Sequence, residues 1–125
     1  MSIADIPIIE LQRMAAKAQQ ERNYAQAKSI YVCLIAVIKQ KDGPKSDRLA
    51  VNFFQLAEVY AEENNYRGAQ TLYERAIEIW KQSSQPDAQL RLSEAASRLH
   101  ELSELEVGRA LRQDRKSKQN HKDVA

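Results

Sequence analysis

Residues 56–80 read LAEVYAEENNYRGAQTLYERAIEIW. Leu56, Ala57 and Tyr60 stand three and four residues apart ahead of the polar AEENN, and Ala69, Leu72, Tyr73, Ala76, Ile77 and Trp80 resume that spacing after it. This is the period of two amphipathic helices, joined by a very short turn into an αα-hairpin. Small residues at Ala57, Ala69 and Ala76 allow the helices to approach closely, while Tyr60, Tyr73 and Trp80 fill the space between them.

A weaker copy lies 42 residues upstream and aligns without gaps over Met14–Ile38. Met14 falls on Leu56, Ala15 on Ala57, Tyr24 on Tyr66, Ala27 on Ala69, Ile30 on Leu72, Tyr31 on Tyr73, Ile35 on Ile77 and Ile38 on Trp80. It departs at Ala18, opposite Tyr60, and at Leu34, opposite Ala76. A helical pair repeated at a fixed period marks a solenoid, whose units bury their apolar faces only by stacking on neighbours.

These residues resemble the tetratricopeptide repeats, in particular the 42-residue variety found in kinesin light chains. The likeness spans about residues 8–92 and is carried by Leu56, Ala57, Tyr60, Ala69, Tyr73 and Ala76, with LYERAIEI at 72–79 and the Gly-Pro linker GPKSDRLA at 43–50. It implies an all-α fold, an α-solenoid of two hairpins at about 8–41 and 50–83 with a long C-terminal capping helix. It also implies a concave surface, lined by the first helix of each repeat, that receives an extended or helical segment of another protein.

Carried over position by position, that surface comprises Ile9, Gln12, Arg13, Ala16, Gln19 and Gln20 in the first repeat. In the second it comprises Val51, Phe54, Gln55, Glu58, Ala61 and Glu62. Phe54 adjoins the core residue Phe53 and so points elsewhere, either into the groove or onto the terminal helix. Members of the family that clamp a chaperone's terminal carboxylate use a lysine and an asparagine where Gln12 and Ala16 stand here. The clamp is missing. A groove neutral at one end and acidic at the other favours a partner with apolar anchors and some basic residues.

The composition agrees with helices: three Gly, three Pro and many Ala, Leu, Glu, Gln, Arg and Lys in 125 residues, with no strand alternation. The length suits one domain of modest stability. No apolar run reaches the roughly 20 residues of a membrane helix. The opening MSIADIPII lacks a basic segment ahead of an apolar one, so the expected setting is cytoplasmic. Cys33 is the single cysteine. It permits no internal disulfide and reads as an inert apolar filler.

The first helix is expected over about 6–21, capped by Asp5 or Ser2 with Pro7 in its opening turn and Leu11, Met14, Ala15 and Ala18 inward. A second, over about 24–40, is apolar nearly all round and should be the most buried. Gly43 and Pro44 end it. Ser46 or Asp47 caps a third helix to about Glu63, which turns Leu49, Phe53, Leu56, Ala57 and Tyr60 inward. A fourth runs over about 66–82, and Ser84 with Asp87 forms an acidic capping box for the next, with Pro86 in its first turn.

A third hairpin does not follow, because a further 42-residue shift puts Gly108, Leu111 and Arg115 where Tyr66, Ala69 and Tyr73 stand. One capping helix is expected over about 87–116, closing the domain 1–116, with a disordered tail at 117–125. Gly108–Ala125 holds six basic residues against two acidic ones, so a mildly acidic body ends in a basic tail.

Catalytic chemistry finds no foothold. His100 and Glu101 begin like a zinc-protease helix, but Glu104 stands where the second histidine belongs. Three scattered glycines build no phosphate-cradling loop, and neither cofactor nor metal is expected. The carboxylates Glu58, Glu62 and Glu63 read as a solvated, partner-facing stripe. The expected function is a non-catalytic protein-protein interaction module, an adaptor, scaffold or assembly factor. The alternatives are a homodimer paired through a heptad seam at Leu92, Ala95, Leu99 and Leu102, and, less favoured, an RNA-associated accessory protein using the basic tail.

Overall fold

Two tight turns, 42 residues apart, set the architecture. The computed structural model of the chain describes residues 6–122, with side chains up to residue 116. Five helices follow in order: α1 (Ile8–Gln20), α2 (Tyr24–Asp42), α3 (Asp47–Glu62), α4 (Tyr66–Lys81) and α5 (Ala88–Lys122). Among the described residues there is no strand. Each helix packs chiefly on the next: α1 on α2, α2 on α3, α3 on α4 and α4 on α5. This is a solenoid of two hairpins closed by a long C-terminal helix.

The turns are built alike. Arg22 and Asn64 both take left-handed backbone, at φ 59° and 64°. The next amide then bonds back to the preceding helix, Asn23 N to Ala18 O at 2.8 Å and Asn65 N to Tyr60 O at 2.9 Å. Asn23 Oδ1 accepts the Gln26 amide at 3.3 Å, and Asn65 Oδ1 accepts the Gly68 amide at 3.1 Å. Each asparagine thereby satisfies an otherwise unpaired amide at a helix start. The left-handed region costs a side chain about 1–2 kcal/mol and asparagine less. Arg22→Gly is therefore expected to stabilise the protein by about 0.5–1 kcal/mol in urea unfolding.

Equivalent core positions share equivalent surroundings. Ala15 and Ala57, Ala27 and Ala69, and Leu34 and Ala76 are all fully buried, and Tyr31 and Tyr73 nearly so. The departure at Ala18 has a partner elsewhere in the repeat. Tyr60 lies against Gly68, where an added Cβ would come within 2.9 Å of the tyrosine ring and 3.1 Å of the Asn65 amide nitrogen. The first repeat instead pairs Ala18 with Gln26, trading the large and small positions. Gly68→Ala should thus destabilise by about 1 kcal/mol despite alanine's higher helix propensity. In a Tyr60→Ala background the same change should stabilise, a reversal that a double-mutant cycle by thermal melting detects.

Several expectations require correction. Met14 is 36% exposed where its mate Leu56 is buried, because no described helix packs on the outer side of α1. Tyr60 is half-buried. The second helix is not the most buried, since Val32 is 54% exposed and Ile35 and Val37 are half-buried. That rank belongs to α3, which touches α2, α4 and α5 and buries residues on all three sides, including Asn52. Asn52 Nδ2 donates to Arg48 O at 2.9 Å, which makes its burial tolerable.

Helix boundaries fall close to expectation from α1 to α4, and α5 runs longer. Ser46 Oγ accepts the Leu49 amide at 3.1 Å, so Ser46 is the α3 cap. The caps considered for the first helix, Ser2 and Asp5, lie outside the described residues, and α1 begins after Pro7. Pro86 and Asp87 form a turn ahead of α5. There Ser83, not Ser84, does the bonding: its hydroxyl donates to Asp47 Oδ2 at 3.0 Å and accepts the Gln85 amide at 3.1 Å.

α5 continues to Lys122, so residues 117–122, expected in a disordered tail, extend the helix, and residues 123–125 lie outside the described range. Neither Gly nor Pro follows Gly108 to stop it. Ala88, Ala95 and Leu102 are buried, with Leu92 and Leu99 packed against the same core. The seam proposed for a homodimer is therefore already occupied by α4. At about 1.5 Å per residue α5 is roughly twice as long as α4, and its second half leaves Val107 and Leu111 exposed.

Candidate functional site

The wall expected to face a partner is formed by the outward arcs of α1 and α3. The 3.6-residue period places Gln12, Ala16 and Gln19 on one arc and Val51, Gln55, Glu58 and Glu62 on the other. The two arcs are joined directly, since Gln19 Nε2 donates to Glu62 Oε1 at 2.9 Å. Gln19 Oε1 also accepts from the Tyr31 hydroxyl at 3.4 Å. Arg13, Ala16 and Gln20 are exposed, and Gln12, Val51 and Gln55 are half-buried. Arg13 Nη1 pairs with Glu10 at 3.4 Å on its own helix.

Phe54 does not stand in open solvent. Its ring meets Tyr73 edge-on at 5.3 Å and Trp80 at 6.1 Å, so it is half-buried against α4. Edge contacts of this kind add to the burial of apolar area, which makes Phe54 part of the packing between α3 and α4 as well as a rim of the wall.

The acidic stripe is not a free one. Glu58 Oε1 lies 3.4 Å from Arg98 Nε of α5, and Glu63 Oε1 lies 2.7 Å from Lys28 Nζ of α2. With Glu62 held by Gln19, the three carboxylates stitch neighbouring helices together. Glu58 and Glu63 are thus countered by cations within the molecule, while Glu62 keeps its charge beside the neutral Gln19 amide. Arg98 was not foreseen as a wall residue. Its position beside Ala95 and Leu99 follows from the helical period, but the angle at which α5 crosses α3 does not.

Burial raises the Tyr73 hydroxyl well above the usual tyrosine range, and the neighbouring Glu58 carboxylate adds to the shift. Tyr31 is raised for the same first reason, with Glu62 contributing. Both hydroxyls hold their protons to higher pH in the fold than in the unfolded chain, where tyrosine ionises near pH 10. The unfolded state then binds fewer protons than the folded one, so stability should be flat below about pH 9 and fall above about pH 10. Tyr73→Phe should flatten that alkaline fall in urea titrations at stepped pH.

At one end of the wall, α3 and the start of α5 enclose a hollow of about 440 Å³ lined by Asp47, Arg48, Val51, Gln85, Asp87, Ala88 and Arg91. Asp47 Oδ1 is shielded from solvent there and has no donor. Arg48 is fixed by Asp42, with Nε to Oδ2 at 2.8 Å and Nη2 to Oδ1 at 3.0 Å. Arg91, Asp87 and Gln85 were not anticipated, because they belong to a segment read as a cap alone.

Among the described residues no group of three or more His, Cys, Asp or Glu could hold a metal ion. No helix there is long and apolar enough to cross a membrane. His100 is exposed and lies 3.3 Å from Glu104. Cys33 is half-buried.

Comparison with protein families gives a match to the tetratricopeptide repeat over residues 5–82. No match was found among curated proteins.

Proposed function

The chain belongs to the tetratricopeptide-repeat family, whose repeats mediate protein-protein interactions, and from that premise we propose that its α1–α3 wall holds a segment of a partner protein. In this reading it is a non-catalytic adaptor, scaffold or assembly factor of the cytoplasm. One observation carries the reading. The hollow beside Val51 joins apolar surface to two arginines and Asp87 on a single flank. A partner segment entering there buries the half-exposed Val51 and pairs its own polar groups with the exposed Arg91 and Asp87.

The ion pairs of Glu58 and Glu63 change the partner's expected chemistry, while Glu62 keeps its charge. An apolar anchor beside a single basic residue fits better than a strongly basic segment. The internal contacts also change the residues to vary. Phe54 and Glu58 hold the fold together, so their substitution confounds binding with packing. Ala16 and Gln55 face outward with no such duty.

The test is quantitative capture from extract of the source cells, comparing the unaltered chain with the Ala16→Arg, Gln55→Arg double variant by mass spectrometry. Loss of a defined partner with an unchanged helical spectrum supports the wall. Equal recovery of every specific partner rejects it.

A further inference from the structure

Away from that wall, the end of α2, the α2–α3 loop and the second half of α4 enclose a separate hollow of about 460 Å³. No residue assigned to the wall lines it. Its floor is apolar, from the buried Leu49 and Phe53 with the half-buried Ile79. Its rim carries Lys39, Lys45 and Arg75 against one carboxylate, Glu78. Lys28, Arg48 and Arg98 each meet a carboxylate, whereas among the described residues the three rim cations take part in no ion pair.

The hollow is also preformed. Asp42 accepts from Nε and Nη2 of Arg48 and, at 3.3 Å, from Ser46 Oγ, which fixes the loop that carries Pro44 and Lys45. The Arg75 guanidinium sits 5.8 Å from the Phe53 ring centroid, held over the floor by a cation-π contact. A site that needs no ordering on binding loses less of its interaction energy to entropy.

From this conjunction we propose that the hollow is a second docking site, for an acidic segment of a partner protein that carries a pair of bulky apolar side chains. The apolar pair covers Leu49, Phe53 and Ile79. Flanking carboxylates meet Lys39, Lys45 and Arg75. The three cations come from three different elements, so they suit charges spread along a chain rather than one compact anion.

Fluorescence anisotropy with the labelled hexapeptide Asp-Glu-Leu-Phe-Asp-Glu tests the proposal on the full chain. Saturable binding with a dissociation constant below about 1 mM at low salt is expected. The Lys39→Glu, Lys45→Glu double variant should weaken it at least about tenfold, and Glu78→Lys should strengthen it about threefold. Both variants change exposed residues, and circular dichroism checks that they fold. Replacing Leu-Phe in the peptide by Ser-Ser should abolish binding. The Arg112→Glu, Arg115→Glu variant should leave the affinity unchanged, which separates the hollow from the basic end of α5. The proposal is overturned by absent binding, by equal affinity for the Lys39/Lys45 variant, by loss confined to the α5 variant, or by displacement with millimolar inorganic phosphate. Because the Ala16→Arg, Gln55→Arg variant leaves this hollow intact, failure here is distinguishable from failure of the wall.

Discussion

A chain ending at Ser84 is expected to lose cooperative folding. Removing α5 strips the cover from α4, where Tyr73, Ala76 and Trp80 are buried, and takes away Ala88, Ala95 and Leu102 from the other side of the same contact. At about 25 cal/mol per Å² of apolar surface, the loss is on the order of 5 kcal/mol or more. Small domains are stable by only about 5–15 kcal/mol in total, and this one has only two hairpins to share the deficit. Its product should aggregate or show a broad, non-cooperative melt. Ending the chain at Arg112 instead should change the melt by less than about 0.5 kcal/mol. α5 residues 103–116 are mostly exposed, and Arg109 links them to the body, lying 6.0 Å from the Tyr66 ring centroid and donating to Asn64 O at 3.4 Å. Comparable losses from both truncations would mean that the far half of α5 supports the fold.

Trp80→Ala should be the most damaging single substitution, costing about 3–5 kcal/mol in urea unfolding. Trp80 is 3% exposed, ends α4 and backs the Phe54 ring, so its loss opens a cavity between α3 and α4. Trp80→Phe should cost much less, about 1.5 kcal/mol or under. The indole Nε1 is buried without an acceptor, and phenylalanine removes that unpaired donor along with the extra ring. A Trp80→Phe loss equal to that of alanine would place a hydrogen bond on the indole.

Much of this fold was legible from one period. The spacing of Ala15, Ala27 and Tyr31 against Ala57, Ala69 and Tyr73 dictates two equivalent hairpins, and those residues are buried as pairs. Turn chemistry was equally readable in retrospect, since Asn23 and Asn65 stand at equivalent positions and cap equivalent helices. Burial rank was not. Hydrophobicity around a helix says how much of it can be buried, and neighbours decide how much is, so the apolar α2 exposes Val32 while α3 is covered on three sides.

The outward arcs of α1 and α3 were legible as positions and not as sets of free groups. Sequence spacing puts Glu58 and Glu62 on one face, but Arg98 and Gln19 reach them across 40 and 43 residues, and such pairings depend on how helices cross. The surroundings of Phe54 were hidden for a related reason. Adjacent to Phe53 it must point about 100° away around α3, and only the placement of α4 decides that Tyr73 and Trp80 wait there.

The most direct measurement is amide hydrogen exchange of the full chain with and without its captured partner. Protection is expected over residues 9–20 and 48–62, the two helices that carry the wall, and over the 85–91 segment that borders the hollow beside Val51. Protection confined to α2 and α4, with α1 and α3 unchanged, would contradict the assignment of the wall as the place where a partner is held.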